Sequence, residues 1–265
     1  MINVERLAAH LAAVRQQSPL VHNITNYVAM NNSANALLAI GASPVMAHWT
    51  REMDEMTAIA SALVINIGTL DAEWIEGMIA AGEAASRRGT PIVLDPVGAG
   101  ATSWRTRTAW EIIERCKPTV IRGNGSEIMA LINADVKSKG VDSSTSSDDA
   151  LGAAKTLASR TGAVVVISGA TDYITDGTRT ETISNGHPIM TAVTGMGCTA
   201  TAVVGAFVAT GGEDVLSAAA HAMAVMGIAG ERAAAEARGS GSMQVAFLDE
   251  LYNLSAETLK NSLRQ

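Results

Sequence analysis

Residues 119–132, TVIRGNGSEIMALI, place a strand, a glycine turn and a helix in immediate succession. The first residues are β-branched and apolar, the types that favour strands. Gly123 and Gly125 mark the turn, because glycine readily interrupts regular structure. Apolar side chains then recur at helical spacing over residues 126–132. The segment therefore predicts one strand-to-helix unit of an α/β fold.

The same unit recurs along the chain. Apolar, β-rich segments predict strands over residues 19–24, 43–47, 62–68, 91–96, 119–124 and 163–169. Helical periodicity predicts helices between them, over residues 27–40, 71–88, 104–116, 126–132 and 148–160. This alternation implies βαβ units around a mostly parallel central sheet with helices on both faces.

The pattern changes after Gly169, in the segment TDYITDGTRTETISNG of residues 171–186. Alternating residues flank Asp176 and Gly177, a strong signal for a short hairpin. We therefore expect a β-hairpin at one edge of the sheet. Residues 135–149 are polar and aperiodic, and they predict a surface loop.

Helical patterns dominate both ends of the chain. Residues 1–17 predict an amphipathic helix, and the chain from Gly197 onward is expected to be almost wholly helical. The last predicted helix spans residues 245–263, and its apolar stripe comprises Leu248, Leu251, Tyr252, Leu259 and Leu263. No repeat or long linker divides the chain, so we expect a single domain over residues 1–265.

The composition excludes several classes of protein. The chain of 265 residues is 48% hydrophobic and 17% charged, as in globular proteins. Its net charge is −7 and it has no basic block, which argues against a nucleic-acid partner. Cys116 and Cys198 are too few for a disulfide framework, so a reducing cytoplasm fits best. No apolar run reaches the roughly 18 residues of a membrane span, so we expect a soluble protein.

Polar residues and glycines gather where the predicted strands end. Ligands of open α/β sheets bind beyond the carboxyl ends of the strands. We call the carboxyl end of a strand and the residues directly after it the strand exit. Any one such residue could belong to an ordinary turn, but polar residues at six strand exits together favour a binding site. The residues concerned are His22, Asn23, Thr25, Asn26, Met46, Asn66, Gly68, Asp95, Arg122, Asn124, Ser168 and Gly169.

Three charged residues at these exits suit a phosphate ligand. Asp95 ends an apolar strand, where a carboxylate can hold Mg²⁺, although aspartate before proline could simply begin a turn. Glu127 lies in the first turn of the next helix, either as a second acidic group near the metal or as a complement to the helix dipole. Arg122 has a guanidinium suited to phosphate oxygens, although a surface salt bridge is the alternative.

A second glycine turn precedes the late helix, in TAVTGMGCTATAVVGAF, residues 191–207. Gly195 and Gly197 free the backbone there, and the unpaired amides of a helix N-terminus bind anions. Cys198 follows this turn, so we expect a lowered pKa for its thiol, although a free cysteine is often only a packing residue. No P-loop or dinucleotide fingerprint occurs, so a phosphate would sit at residues 195–198. His221, on an apolar helical segment, is interpreted as a satisfied core histidine.

Four segments together resemble the hydroxyethylthiazole kinase family, a branch of the ribokinase-like superfamily. They are VHNITNYVAMNNSANALLAIGASPVMA (residues 21–47), VLDPVGAGAT (residues 93–102), VIRGNGSEI (residues 120–128) and the segment of residues 191–207. The resemblance covers the whole chain and implies a ribokinase-like three-layer α/β/α fold. It also implies Mg²⁺-dependent transfer of the ATP γ-phosphoryl group to 4-methyl-5-(2-hydroxyethyl)thiazole in thiamine salvage.

The resemblance also implies roles for individual residues and an assembly. Met46 and Gly195 would contact the thiazole, and Asn26, in the first of these segments, would line the site. Arg122 and Ser168 would contact ATP, together with Asn124 at the same end of the sheet. Members of the family form homotrimers with sites at subunit boundaries, so Met46 could serve a neighbour's site.

The resemblance suggests a catalytic role for the glycine turn. Most of the wider superfamily has aspartate where this chain has Cys198, as a base for the substrate hydroxyl. A thiol can orient the alcohol and accept its proton late, because phosphoryl transfer depends mainly on positioning and charge stabilisation. The amides of Gly195, Met196 and Gly197 would hold the charge that develops on the transferred group.

Two other functions remain open at this point. A related kinase could act on a hydroxymethylpyrimidine, on pyridoxal or on a sugar, although Val45, Met46 and Cys198 suit a small, flat, apolar ring better than a sugar. A nucleotide-binding regulator without activity could keep the same fold. The presence of Asp95, Glu127 and the glycine turn favours an enzyme.

Overall fold

A computed structural model describes residues 2–133, 147–212 and 214–264. The predicted surface loop over residues 135–149 lies outside the described residues, except for its last three positions, where a helix begins. Among the described helices, none combines the length and the apolar character needed to cross a membrane.

The centre of the fold is one eight-stranded sheet with the order β2-β1-β3-β4-β5-β6-β7-β8. Strands β1 to β6 run parallel to one another, β7 pairs antiparallel with β6, and β8 pairs antiparallel with β7. The strands are β1 (Leu20–Ile24), β2 (Ser43–Val45), β3 (Ala62–Asn66), β4 (Ile92–Asp95), β5 (Val120–Asn124), β6 (Val164–Ser168), β7 (Asp172–Thr175) and β8 (Thr180–Ile183). The predicted mostly parallel sheet is confirmed.

Helices cover both faces of the sheet and complete three layers. The helices are α1 (Val4–Gln17), α2 (Met30–Ala39), α3 (Met53–Ile59), α4 (Ala72–Arg88), α5 (Ser103–Cys116), α6 (Gly125–Asn133), α7 (Ser147–Thr161), α8 (Met196–Thr210), α9 (Val215–Glu236), α10 (Ser240–Asn253) and α11 (Ala256–Ser262). One core unites α1, α2 and α8 to α11 with one face of the sheet, and a second core unites α3 to α7 with the other. The predicted α/β/α architecture is confirmed.

The pleat of the strands decides which side chains reach the α8 face. In β3, Val64 lies in the α8 core, whereas Leu63 and Ile65 lie in the opposite one. Successive side chains alternate between faces, so Asn66 at the end of β3 is on the α8 face. The same alternation places the ends of β4, β5 and β6 there, with Asp95, Arg122 and Ser168.

The edge hairpin is also confirmed. Strands β7 and β8 pair from Thr175 with Thr180 to Asp172 with Ile183, around the predicted Asp176-Gly177 turn. The Asp176 carboxylate accepts the backbone N–H groups of Thr178 and Arg179. Gly177 has a φ of +94°, a conformation that glycine adopts without a steric cost.

The structure corrects two predicted helices and one residue of the apolar stripe, and it contains one α-helix that was not predicted. Helix α3 and the short 3₁₀ turn Thr50–Glu52 before it were not predicted, because the segment is too short for a clear helical period. The helix predicted over residues 27–40 begins only at Met30. The predicted C-terminal helix is two helices, since α10 ends at Asn253 and the Ser255 side chain caps α11. Tyr252 is 70% exposed and does not belong to the apolar stripe.

His221 is a core residue, as predicted, and it has a histidine partner. Its Nδ1 lies 3.0 Å from His10 Nδ1, and His10 Nε2 lies 2.9 Å from the carbonyl oxygen of Phe207. A carbonyl only accepts, so His10 Nε2 carries its proton and the neutral ring accepts from His221 at Nδ1. Burial, with a contribution from His10, lowers the pKa of His221 from 6.5 to about 4.

We expect this histidine pair to make stability depend on pH. The unfolded chain protonates His221 near its ordinary pKa of 6.5, whereas the folded chain resists protonation down to about 4. The free energy of unfolding should therefore lose about 1–3 kcal/mol as the pH falls through this interval. Urea denaturation of the wild type and His221→Gln at several pH values measures the difference. The exposed-site variant His187→Gln should keep the wild-type dependence, and an equal dependence in His221→Gln would contradict the assignment.

Candidate active site

A buried carboxylate lies at the centre of the candidate site. Asp95, which is 1% exposed, accepts hydrogen bonds at Oδ2 from Asn66 Nδ2 at 2.8 Å and from Thr201 Oγ1 at 2.7 Å. Its other oxygen, Oδ1, has no hydrogen-bond partner within the described residues. Arg122 Nη1 lies 3.9 Å from Oδ2. Asp95 thus joins three strands to α8 and keeps one oxygen for a ligand.

Amide side chains connect this carboxylate to Cys198. The Asn66 Oδ1 atom accepts from the backbone N–H of Gly68 and from Asn26 Nδ2, so the Asn66 amide nitrogen faces Asp95. Asn26 Oδ1 accepts from the N–H of Ala29, so its Nδ2 faces the cleft and donates to Cys198 Sγ at 3.2 Å. The orientation of both amides is therefore determined by backbone donors.

The environment of Cys198 corrects a sequence-based expectation. The position at the start of α8 predicted a lowered pKa, but burial raises the pKa of this thiol, and the charge of Asp95 raises it further. The Asn26 and Asn66 amides and Arg122 act in the opposite direction and do not reverse the shift. Desolvation of a thiolate outweighs the helix N-terminus here. Cys198 is therefore a neutral thiol near pH 7.

Arg122 is buried in the site and lies beside the start of α8. Its Nη2 donates to Ser168 Oγ at 2.5 Å, and its Nε has no partner among the residues that the structure describes. A Cβ at Gly197 would lie 2.8 Å from Nη1, so only glycine admits the guanidinium at this distance. The structure thus brings Arg122, Ser168 and Gly197 together.

Two carboxyl groups flank Arg122 with raised pKa values. Burial raises the pKa of Asp95 to about 6, with Glu127 adding to the shift and Arg122 opposing it. Burial also raises the pKa of Asp172 to about 6, opposed by a hydrogen bond from the Gly169 N–H and by Arg122. The site therefore holds anionic and cationic groups out of water, where their interactions are strong.

The glycine turn presents backbone donors to this cluster. Gly195 has a φ of +76° and caps α8 without a side-chain partner. The first hydrogen bond across this turn runs from the N–H of Thr199 to the carbonyl of Gly195, so the N–H groups of Met196, Gly197 and Cys198 stay outside the helical ladder. The start of α8 is thus suited to an anion.

Glu127 and Asn124 form a capping box at the start of α6. Asn124 Oδ1 accepts from the N–H of Glu127 at 2.9 Å, and Glu127 Oε2 accepts from the N–H of Asn124 at 2.8 Å. Glu127 Oε1 accepts from the N–H of Gly98 at 2.9 Å. Glu127 therefore connects the β4 and β5 exits. Within the described residues no three His, Cys, Asp or Glu side chains gather as a metal cluster.

Met46 lies apart from the hydrogen-bonded cluster. It follows the edge strand β2, and the buried His22 bonds at Nε2 to the carbonyl of the next residue, Ala47, at 2.8 Å. Burial lowers the pKa of His22, so the neutral ring donates this bond. Met46 is thus held at the outer side of the β1 exit, which carries Asn26.

Sequence reasoning missed three residues of the site. Thr201 was assigned no role from the sequence, although its hydroxyl donates a hydrogen bond to Asp95. Asp172 begins the hairpin, and its carboxylate accepts from Gly169. Arg105 donates to the carbonyls of Ile67, Val97 and Gly68, which ties together the loops after β3 and β4. In the sequence, the one feature that points to Thr201 is its position four residues, about one helical turn, after Gly197.

The fold defines a protein of the ribokinase-like class. A solved ribokinase-like superfamily protein from Enterococcus faecalis superposes with a TM-score of 0.66, covering 96% of both chains. At 13% identity this likeness shows the fold alone.

Closer relatives narrow the class to one family. The sequence model of the hydroxyethylthiazole kinase family matches residues 11–257. A hydroxyethylthiazole kinase from Vibrio parahaemolyticus is 57% identical over 98% of both chains. The solved structure of such a protein from Pyrococcus horikoshii has a TM-score of 0.91 and 43% identity over 98% of both chains. This chain belongs to the hydroxyethylthiazole kinase family, and it is a kinase.

The contact between Gly197 and Arg122 leads to a prediction. Gly197→Ala should raise the KM for ATP about tenfold or more, because the added methyl group displaces the buried guanidinium from Ser168 and Asp95. Steady-state kinetics with varied ATP measures the change. Gly152→Ala on α7 is the matched control, since its added Cβ meets no atom of the described residues within 4 Å. An unchanged KM for ATP in Gly197→Ala would remove Arg122 from the nucleotide site.

Proposed function

We propose that this chain transfers the γ-phosphoryl group of ATP to the hydroxyl group of 4-methyl-5-(2-hydroxyethyl)thiazole, in thiamine salvage. One observation carries the proposal. The Asp95 cluster and the free amides at the start of α8 lie at the same end of the sheet, joined by the bond from Thr201 to Asp95. Family membership indicates which alcohol reaches this site.

The nucleotide side of the site rests on Arg122, Ser168 and Asn124. Arg122 is already ordered by Ser168, which reduces the entropy lost when its guanidinium binds phosphate oxygens. Asn124 pairs in register with Ser168 at the ends of β5 and β6. These residues would position ATP across the two strand ends.

The start of α8 would stabilise the transferred group. In a loose transition state, charge spreads over the oxygens of the γ-phosphoryl group. The N–H groups of Gly195, Met196 and Gly197 would meet this charge, and those of Met196 and Gly197 lie outside the helical hydrogen-bond ladder. The alcohol oxygen forms the new bond to phosphorus as the bond to the bridging oxygen of ADP breaks.

The acidic residues fit one Mg²⁺ ion held together with the nucleotide. Asp95 Oδ1 is buried and has no hydrogen-bond partner in the described part of the chain, and such an oxygen is a preferred Mg²⁺ ligand. Both oxygens of Glu127 accept backbone N–H groups, and each keeps a second lone pair for a water or the ion. Because few protein ligands converge, phosphate oxygens and water would complete the coordination. The ion would neutralise charge on the phosphates.

Cys198 would orient the acceptor alcohol. Its neutral thiol can hydrogen-bond to the hydroxyl group, and only the minor thiolate form can take the hydroxyl proton. The Asn26 amide, which donates to Sγ, stabilises that thiolate. Because the transition state is loose, a weak base is sufficient.

The thiazole ring would lie beside Asn26 and Gly195, with Met46 contributing an apolar contact. Met46 follows the outermost strand, so it could belong to the site of an adjacent subunit. Large apolar side chains flank the same exits, with Tyr27 and Val28 both 62% exposed and Trp49 61% exposed. Exposed apolar patches of this kind favour contact with another protein. We therefore propose the homotrimer of the family, with sites at subunit boundaries.

We also propose a cytoplasmic location. Both Cys116 and Cys198 are free thiols, as expected in a reducing compartment.

A panel of acceptors tests the proposed function. In an assay coupled to ADP release, kcat/KM for the thiazole alcohol should exceed that for hydroxymethylpyrimidine, pyridoxal or ribose by about 10² or more, because Met46 and the Cys198 thiol suit a small apolar ring better than a ring that carries further polar groups. Excess EDTA should abolish turnover. A reaction without acceptor is the control. Faster turnover of pyridoxal or a sugar would replace the proposal by a related kinase, and no turnover of any alcohol would favour a regulator.

The role of Cys198 gives a separate prediction. Cys198→Ala should lower kcat about 10²-fold to 10³-fold, the usual contribution of one general base, and Cys198→Asp should remain active. Because the thiol has a raised pKa, wild-type kcat should rise with pH above neutrality, and Cys198→Asp should lose that rise. Rate profiles over pH measure both effects. Cys116→Ala, which removes the other free thiol, should keep the wild-type profile. Full activity of Cys198→Ala would reduce Cys198 to a packing residue.

A further inference from the structure

A chain of two side-chain amides supports the glycine turn from outside the cluster already described. Asn32, on α2, donates from Nδ2 to the carbonyl oxygen of Thr194 at 3.1 Å. Gln244, on α10, donates from Nε2 to Asn32 Oδ1 at 2.6 Å. Two helices therefore converge on the single peptide group that precedes Gly195.

The peptide between Thr194 and Gly195 connects this contact to the reaction. A peptide unit is planar and trans, so its carbonyl and its N–H point in opposite directions. When Asn32 holds the Thr194 carbonyl, the Gly195 N–H must point away from α2. Gly195 has a φ of +76° and no Cβ, so the turn could otherwise adopt a different peptide orientation at small cost.

On one side, this peptide borders open space. A small cavity borders the turn between α2, α8 and α10, lined among others by Val193, Met196 and Phe247 beside Asn32 and Gln244. A peptide next to open space can rotate unless hydrogen bonds restrain it. Asn32 therefore supplies a restraint that the apolar neighbours do not.

Gln244 determines which end of the Asn32 side chain faces the turn. An asparagine amide can rotate to exchange its oxygen and nitrogen. The N–H donor of Gln244 keeps the Asn32 oxygen toward α10, so the Asn32 nitrogen faces Thr194. Without a donor at position 244, the Asn32 oxygen could turn toward the Thr194 carbonyl, where two acceptors would repel each other.

We propose that Asn32, oriented by Gln244, is a positioning residue that aims the Gly195 N–H at the phosphoryl group in transfer. This inference rests on the proposed function. It predicts a loss in the transition state and not in substrate binding, because the misdirected donor meets charge that develops only during transfer.

Kinetics of four variants test the inference. Asn32→Ala and Gln244→Glu should each lower kcat about tenfold to 100-fold. This loss does not exceed the one expected when a charge-stabilising donor is removed altogether. The KM values for ATP and the thiazole alcohol should stay within about threefold. Gln244→Leu, which neither donates nor accepts, should lose less than Gln244→Glu, which selects the wrong orientation of Asn32. Asn35→Ala is the matched control, since the partner of the Asn35 amide among the described residues is Asn31, one turn earlier on the same helix.

Binding of ADP with aluminium fluoride, a mimic of the transferred group, provides a second readout. Its affinity should fall by about the same factor as kcat in Asn32→Ala, while the affinity for ADP alone stays unchanged. A kcat equal to that of Asn35→Ala, or a loss confined to KM, would overturn the positioning role. A wild-type protein that phosphorylates no thiazole alcohol would instead overturn the proposed function.

Discussion

The burial of the Asp95 carboxylate is the constraint on which the rest of the site depends. A charge removed from water is costly unless it is paired and hydrogen-bonded, and Asn66, Thr201 and Arg122 provide that environment. These residues come from β3, α8 and β5, so satisfying one carboxylate fixes the position of three elements at the carboxyl end of β4. The remaining oxygen of Asp95 keeps its capacity for a ligand.

The site also requires the backbone at the start of α8 to lie close to Arg122, so that both can contact the same phosphate group. Gly197 allows the start of α8 to lie against the guanidinium, and Gly195 allows the turn that precedes it. Much of the charge stabilisation proposed for this site therefore comes from backbone N–H groups, and the identities of the side chains do not reveal them. It depends on side chains outside the cluster, such as Asn32, that hold the backbone in one orientation.

Much of the fold could be predicted because regular structure follows from near neighbours in the sequence. Six apolar strands, the helices between them and the Asp176-Gly177 hairpin all have local patterns of period or turn type. Helix α3 was missed because it is too short to show a period. The apolar stripe predicted for one C-terminal helix spans the break between α10 and α11, and the N-cap at Ser255 marks that break. The two cysteines were indistinguishable by type, yet Cys116 is a fully buried packing residue and Cys198 faces the site.

Local sequence patterns locate the strand exits and hence most of the residues near the site. Which of these residues touch depends on the tertiary structure, since Asn66 and Thr201 lie 29 and 106 residues from the Asp95 that they bond. The tertiary structure also decided the direction of the Cys198 pKa shift. A helix N-terminus is visible in the sequence, but burial and the charge of a distant carboxylate are not. Contacts through space, and the water that they exclude, arise from the packing of the sheet against α8.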